Sequence, residues 1–265
     1  MSYGRETGPL AIAHRGGAAL APENTQAAFR LSAGLGLRYL ETDVRVTRDG
    51  HLVCVHDRTL GRTTTDRGAV ADRTLDQLRA LHVAGRASVA TLEEVLHDLP
   101  DACFTVDLKV RAAIAPMLDL LRRRDVAERV CVAGAPDAWL ADVRGHVPAV
   151  TTALGWHALT GLVAAAWSGA RPPAGVATGE FAHVPVRLVG PPAVARRLVT
   201  MAHDLHIRVV VWTVDDPARM RDLLDLGVDG IITDRPDLLR EVLISRDAWR
   251  PAPRRRPTDA GTMAE

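Results

Sequence analysis

Residues 39–57 read YLETDVRVTRDGHLVCVHD, and the fold turns on how many strands this stretch contributes to the main sheet. In YLETDV, Leu40, Thr42 and Val44 fall on one face of a strand and Glu41 and Asp43 on the other. Asp49-Gly50 is a two-residue hairpin signal, so HLVCVHD folds back antiparallel. On such a turn Arg48 faces His51 and Asp43 faces His56, which sets a carboxylate beside an imidazole on one face of the ribbon. HLVCVHD is then an excursion at the mouth of the fold and leaves the strand count.

What remains alternates regularly. LAIAHR precedes TQAAFRLSAGLG, YLETDV precedes TLEEVLHDL, and CFTVDLKV precedes AAIAPMLDLLRRRD. VCVAG, AVTTAL, FAHVPVRLV, RVVVWTV and DGIITD follow, each with its own helical stretch. Eight βα units close a (β/α)8 barrel, the TIM-barrel form of the α/β class. A doubly wound open sheet is the alternative, and it has no place for the eighth unit. Thr91 with Glu94 forms a capping box, and Gly227 after DLLDL is a helix stop. The expected organisation is an N-terminal extension over 1–9, one barrel domain over 10–245 with an insertion at about 46–90, and a disordered tail over 246–265, where Pro and Arg are frequent and periodicity is absent.

Lys and Arg total 33 against 32 Asp and Glu, a formal net charge of +1, so no global field draws in nucleic acid or a membrane surface. Any anion must be recognised locally. Cys54, Cys103 and Cys131 all lie in apolar runs, where cysteine packs as a small hydrophobe, and a disulfide framework is not expected. The first residues, MSYGRETGPL, lack an apolar leader core, and no uncharged run reaches the roughly 18 residues of a membrane span. The expectation is a soluble, cytoplasmic protein acting on a small molecule; oligomeric state is not encoded in any pattern here.

Polar residues in strands carry the chemistry. Glu41 and Asp43 share a face and repel unless a cation or proton lies between them. In FTVDLKV, Thr105, Asp107 and Lys109 share the inward face, where charges are costly unless they serve a site. Three carboxylates at strand ends suit a hard divalent cation, Mg²⁺ or Ca²⁺, better than zinc. Arg15 and Lys109 add positive charge for an anion, while His14 and His56 are proton-transfer groups near neutral pH. Together these describe phosphoryl chemistry. Each feature alone has a plainer reading: a salt-bridged strand end, a lysine partnering Asp107, a core Trp212 in place of a pocket-lining one. Pro22-Glu23-Asn24-Thr25 is a helix start with Asn24 or Thr25 as cap.

HRG at 14–16, PENT at 22–25, ETDVRVTRDG at 41–50, VHDRTLGRTT at 55–64, TLEEVL at 91–96, VWTVDD at 211–216 and GVDGIITDRP at 227–236 resemble the glycerophosphodiester phosphodiesterase family over roughly residues 10–244. The resemblance implies a barrel similar to that of phosphatidylinositol-specific phospholipases C. It also implies hydrolysis of glycerophosphodiesters to glycerol 3-phosphate and an alcohol with one divalent cation (Mg²⁺, Ca²⁺ or Mn²⁺). By position, His14 and His56 correspond to the acid/base pair, Arg15 and Lys109 to phosphate contacts, and Glu41 and Asp43 to metal ligands; Trp212 is placed on the substrate side. Asp107 stands where the family has a glutamate, one methylene longer, which bears on the third ligand's reach. Between Ala80 and Thr91 the connection is shorter than usual for the family, which implies a trimmed wall at the mouth. Water and the glycerol 2-hydroxyl both remain open as nucleophile. The rival readings are a lysophospholipase D-like or phosphatidylinositol-type lyase on the same barrel, and a barrel that binds phosphodiesters without turnover.

Overall fold

The computed structural model describes residues 2–85 and 87–252. Nine strands form: β1 (Leu10–Ala13), β2 (Tyr39–Val46), β3 (Leu52–Cys54), β4 (Cys103–Leu108), β5 (Val130–Ala133), β6 (Thr151–Thr152), β7 (Phe181–Pro185), β8 (Arg208–Trp212) and β9 (Gly230–Thr233). Eight of them pair in parallel in the order β6-β5-β4-β2-β1-β9-β8-β7, and β3 pairs antiparallel with β2 off this path. The ring closes between β6 and β7, where Ala153 bridges Phe181. There Leu154 N donates to Phe181 O at 2.7 Å and Glu180 N to Thr152 O at 2.9 Å. The expected (β/α)8 barrel and its eight units are therefore present.

The helices cover the outside of the ring. They are α1 (Gln26–Gly34), α2 (Leu75–Arg79), α3 (Leu92–Asp98), α4 (Ile114–Leu121), α5 (Arg124–Ala127), α6 (Asp137–His146), α7 (Trp156–Ser168), α8 (Val186–Val189), α9 (Pro192–Asp204), α10 (Pro217–Asp225) and α11 (Pro236–Ile244). Strand alternation sorts the apolar residues into two layers. Leu40, Phe104, Val106, Val132, Val184 and Val211 pack outward beneath the helices. Leu10, Ile12, Tyr39, Cys103, Cys131, Phe181, Val210 and Ile232 fill the barrel. Each fully buried Leu, Ile or Phe contributes roughly 1.5–3 kcal/mol. All three cysteines are buried and free. The N-terminal ends of the strands are closed from below by Tyr3, which is 1% exposed. Its hydroxyl lies 2.5 Å from Thr105 Oγ1, and its ring stands edge-on to those of Tyr39 and Phe181.

Three expectations are corrected. The hairpin pairs Val44 with Cys54 and Val46 with Leu52, so its loop has three residues, 48–50. Asp43 therefore lies opposite Val55, whose N donates to Asp43 O at 3.0 Å, and not opposite His56. The cause is local: Asp49 accepts from the Thr47 hydroxyl at 2.6 Å and from Leu75 N at 3.0 Å at the start of α2. Gly50, at φ +88°, takes the left-handed position that a three-residue loop needs. Second, FAHVPVRLV is not all strand, because β7 ends at Pro185 and 186–189 turn into α8. Third, the chain stays packed to residue 252: the Arg240 guanidinium lies over the Trp249 ring at 5.8 Å, and Ala252 N donates to Gly36 O at 2.9 Å. An indole with a cation to stack on has apolar surface to bury. The rest of the expected tail, 253–265, lies outside the described residues. No helix among the described residues is long and apolar enough to cross a membrane.

The segment after β2 has a small core of its own, made by Val53, Val55, Leu60, Val70, Leu75, Leu78, Val83 and Val89. His56 rides on that core. Its backbone carbonyl is tied back to the barrel by Arg45 Nε at 2.9 Å.

Candidate active site

All eight residues singled out from the sequence line one cleft at the carboxyl ends of the strands. β1 delivers His14 and Arg15 there, with Arg15 at φ +50°. That turn aims Arg15 N at Glu41 Oε2, 2.7 Å away, and lets the side chain reach back to Glu23 Oε1 at 2.9 Å and Asp43 Oδ2 at 3.3 Å. Within the PENT stretch the two polar residues divide the work. Thr25 caps α1, accepting from Ala28 N at 3.2 Å. Asn24 is buried in the site, where its Nδ2 donates to Asp43 Oδ2 at 3.0 Å and its Oδ1 accepts from Thr42 Oγ1 at 2.8 Å.

β2 and β4 lie side by side with Glu41 in register with Thr105 and Asp43 with Asp107. Oxygens of Glu41, Asp43 and Asp107 come within 4.8 Å of one another. That span is about twice the 2.0–2.6 Å bond of Mg²⁺ or Ca²⁺ to a carboxylate, so the three hard donors fit one such ion. The electrostatics point the same way. Burial, and then the charge of Asp43, push the Glu41 carboxyl up to about 8. Burial also works against Asp43, but Lys109 and Arg15 outweigh it and hold its carboxyl below the usual range. Lys109 Nζ lies 2.8 Å from Asp43 Oδ1 and 3.2 Å from Asp107 Oδ2. Thus the cations Lys109 and Arg15 prevail at Asp43, whereas burial and the Asp43 charge prevail at Glu41 over the opposing His14. Asp107 itself depends on a missing side chain: a Cβ on Gly134 would fall 2.3 Å from Asp107 Cγ.

Both histidines are clamped by a carboxylate through Nδ1. His14 Nδ1 lies 2.7 Å from Asp234 Oδ1, and its Nε2 is 3.9 Å from Glu41 Oε2. Burial draws the His14 imidazole down, and the Asp234 bond with the Glu41 charge more than offsets this, so it is held above its ordinary value. Asp234 is in turn steadied by Asp215, which accepts from Asp234 N and from Thr233 Oγ1, each at 2.8 Å. His56 Nδ1 lies 2.7 Å from Asp57 Oδ1. Arg62 bonds Asp57 Oδ2 at 2.6 Å and both oxygens of Glu23 at 2.6 and 2.7 Å, and its hydrogen bond holds Asp57 down at about 2. In each dyad the carboxylate accepts from Nδ1–H, which fixes the ring and leaves Nε2 as the nitrogen free for proton transfer.

Sequence reasoning missed Asp57, Arg62, Asp234, Asp215 and the inward use of Asn24. Signals existed for some: Asp57 and Arg62 follow His56 within one motif. Asp234 lies in the GVDGIITDRP stretch, but 220 residues from His14, and nothing in the sequence tied it to that ring. The opposite wall was also missed, except Trp212. It is built by Ala135, Leu154, Trp156, Leu159, His183, Trp212 and Ile232. Trp212 Nε1 donates to His183 O at 3.0 Å and Trp156 Nε1 to Gly134 O at 3.2 Å, so both indoles are oriented.

The model of the glycerophosphoryl diester phosphodiesterase family matches residues 14–238. A Mycobacterium tuberculosis protein named "Probable glycerophosphodiester phosphodiesterase 2" is 38% identical over 257 residues, covering 94% of this chain and 96% of that one. The glycerophosphodiester phosphodiesterase of Caldanaerobacter subterraneus is 32% identical, covering 87% of this chain and 96% of its own. Among solved structures, that of a glycerophosphodiester phosphodiesterase from Agrobacterium tumefaciens superposes with a TM-score of 0.71 at 25% identity, covering 87% of this chain and 98% of that chain. An Oleispira antarctica phosphodiesterase in complex with the product sn-glycerol-3-phosphate superposes with a TM-score of 0.73 at 20% identity, covering 89% and 97%.

Proposed function

Because the chain belongs to the glycerophosphoryl diester phosphodiesterase family, and is accordingly a phosphoric diester hydrolase, we propose that its cleft hydrolyses glycerophosphodiesters to glycerol 3-phosphate and an alcohol, using one divalent cation and two histidines. The observation that carries this reading is the gathering of two carboxylate-clamped imidazoles, three carboxylates and two cations in one cleft. The product named here is the one the Oleispira antarctica phosphodiesterase binds.

Glu41, Asp43 and Asp107 hold the cation, Mg²⁺, Ca²⁺ or Mn²⁺ by the hardness of their oxygens. Once bound, it supplies Lewis acidity toward a non-bridging phosphate oxygen. Arg15 and Lys109 orient the phosphate and balance the charge that grows on its oxygens. One histidine takes the proton of the attacking hydroxyl at Nε2 while the other delivers a proton to the leaving oxygen. Asp234 and Asp57 keep each ring in the tautomer with Nε2 exposed and stabilise its imidazolium form. The Asp234 bond, which offsets the effect of burial and holds the His14 imidazole above its ordinary value, favours its protonated form and so suits it to proton donation.

A second reading, turnover of a lysophospholipid, draws on the apolar wall and on Trp156, which is 44% exposed at the rim. The test is glycerol 3-phosphate release from glycerophosphocholine, glycerophosphoethanolamine, glycerophosphoglycerol and a lysophospholipid, with EDTA and then with each metal restored. Release from the small diesters, abolished by EDTA and recovered with one metal, is the expected result. Release from none of them by folded protein with any metal would leave a binding barrel in place of an enzyme.

A further inference from the structure

One polar group in the cleft has no partner and no part in the reaction as derived above. His183 lies in the middle of β7, where Ala182 and Val184 face the outer helices, so Phe181 and His183 face the barrel interior. The residue is 9% exposed, its ring stands one level above Phe181 at 6.2 Å between centroids, and it lines the cleft. Its Nε2 is buried and accepts or donates no hydrogen bond. Buried polar atoms in native proteins are almost always paired, so one left open on the wall of an active-site cleft is a position for a ligand to complete. The surrounding scaffold is already committed: the His183 carbonyl holds the Trp212 indole at 3.0 Å, and β7 is pinned by β8, with His183 opposite Val210.

We propose that His183 is a hydroxyl-binding residue of the cleft, taking a hydroxyl of the substrate's glyceryl half at Nε2. The inference rests on the phosphodiesterase reading and adds a recognition element to it. Around the ring of eight strands β7 is separated from β2 by three strands on either side, so His183 faces the Glu41 and Asp43 wall across the barrel. The phosphate belongs with Arg15, Lys109 and the cation on that far wall. The glyceryl group then extends from it toward β7. Burial lowers the His183 imidazole to about 4, so the ring is neutral at physiological pH. A neutral imidazole offers one N–H and one lone pair, which matches a hydroxyl and gives no attraction to a second anion. Trp212, bonded to the His183 carbonyl, offers no competing polar group other than that already bonded indole N–H, and Leu159 of the same cleft offers none.

The test uses binding, so that it reads independently of turnover. Dissociation constants for sn-glycerol 3-phosphate and for ethyl phosphate, which lacks the hydroxyls, are measured with Mg²⁺ on the wild type and on His183→Ala. The wild type is expected to prefer sn-glycerol 3-phosphate, and His183→Ala to lose roughly tenfold of that preference, the effect of one hydrogen bond, with ethyl phosphate binding unchanged. Should His183→Ala fail to fold, the ring nitrogens of ¹⁵N-histidine-labelled wild type provide the readout: the His183 Nε2 resonance shifts with sn-glycerol 3-phosphate and stays in place with ethyl phosphate. An equal loss for both ligands, no preference in the wild type, or an unmoved Nε2 resonance overturns the proposal. Glycerol 3-phosphate release from glycerophosphoethanolamine by the wild type, measured alongside, separates failure of this inference from failure of the phosphodiesterase reading.

Discussion

The two walls of the cleft are built from the same kind of strand and differ in what their inward residues do. β1, β2 and β4, with the hairpin beside them, contribute His14, Arg15, Glu41, Asp43, His56, Asp107 and Lys109. The wall formed by β5 to β9 contributes Leu154, Leu159, Trp156, Trp212 and Ile232, and a single titratable side chain, His183. Charges in a barrel interior are tolerated only where they compensate one another or a ligand. Under the proposed reaction, the charged wall is where bonds change and the apolar wall is where a substrate is chosen.

That division can be broken by experiment. The largest effect is expected at the histidines: His14→Ala and His56→Ala each lower kcat by at least ~10²-fold, with thermal melting showing the barrel intact. Near-full activity in either variant would remove that residue from the acid/base pair. Next comes Gly134→Ala, on the border between the walls, where φ is +67° and the added methyl collides with Asp107. Cation affinity, followed by calorimetry, should fall by roughly 10–100-fold, as for losses of groups that orient metal ligands. Unchanged affinity would show that Asp107 holds no metal. Arg62→Ala touches nothing in the cleft yet releases Asp57 and Glu23 together, and displacement of His56 by even a fraction of an ångström should cost about tenfold in kcat. Its melting temperature should hardly move, because exposed ion pairs add little stability. A loss confined to stability would reduce Arg62 to a surface salt bridge. The smallest effect is expected from Trp156→Ala on the apolar rim: about a threefold rise in KM with kcat kept. A fall in kcat there would erase the distinction between the walls.

The same contrast governs what could be read from the amino-acid string. Glu41, Asp43, Asp107 and Lys109 stood out because a charge in a strand is anomalous, and period-two alternation assigns its face. Leu154, Leu159 and Ile232 look identical to core residues in sequence, so their place on a cleft wall became visible only in three dimensions. His183, inside FAHVP, was hidden for the same reason. The clamps divide similarly: Asp57 adjoins His56, whereas Asp234 reaches His14 only through the closure of β9 on β1. The hairpin register slipped by one residue because Asp49 serves as a hydrogen-bond acceptor for Thr47 and Leu75, a use that the Asp-Gly pair does not advertise. Even so His56 reaches the cleft, carried by the small core around Val53, Leu60 and Leu78 in place of the cross-strand pairing.

Tyr3 gives the barrel a floor, and a vessel with a floor has consequences for traffic. With the lower end sealed by its ring against Tyr39 and Phe181, substrate enters and products depart by the same mouth. Under the proposed reaction the two halves of a cleaved diester queue at one doorway. The half nearer the rim leaves first, and the half held deeper by Arg15 and Lys109 blocks the next substrate until it follows. Turnover would then be paced by the exit of the phosphorylated product, and accumulating product would act as a competitor.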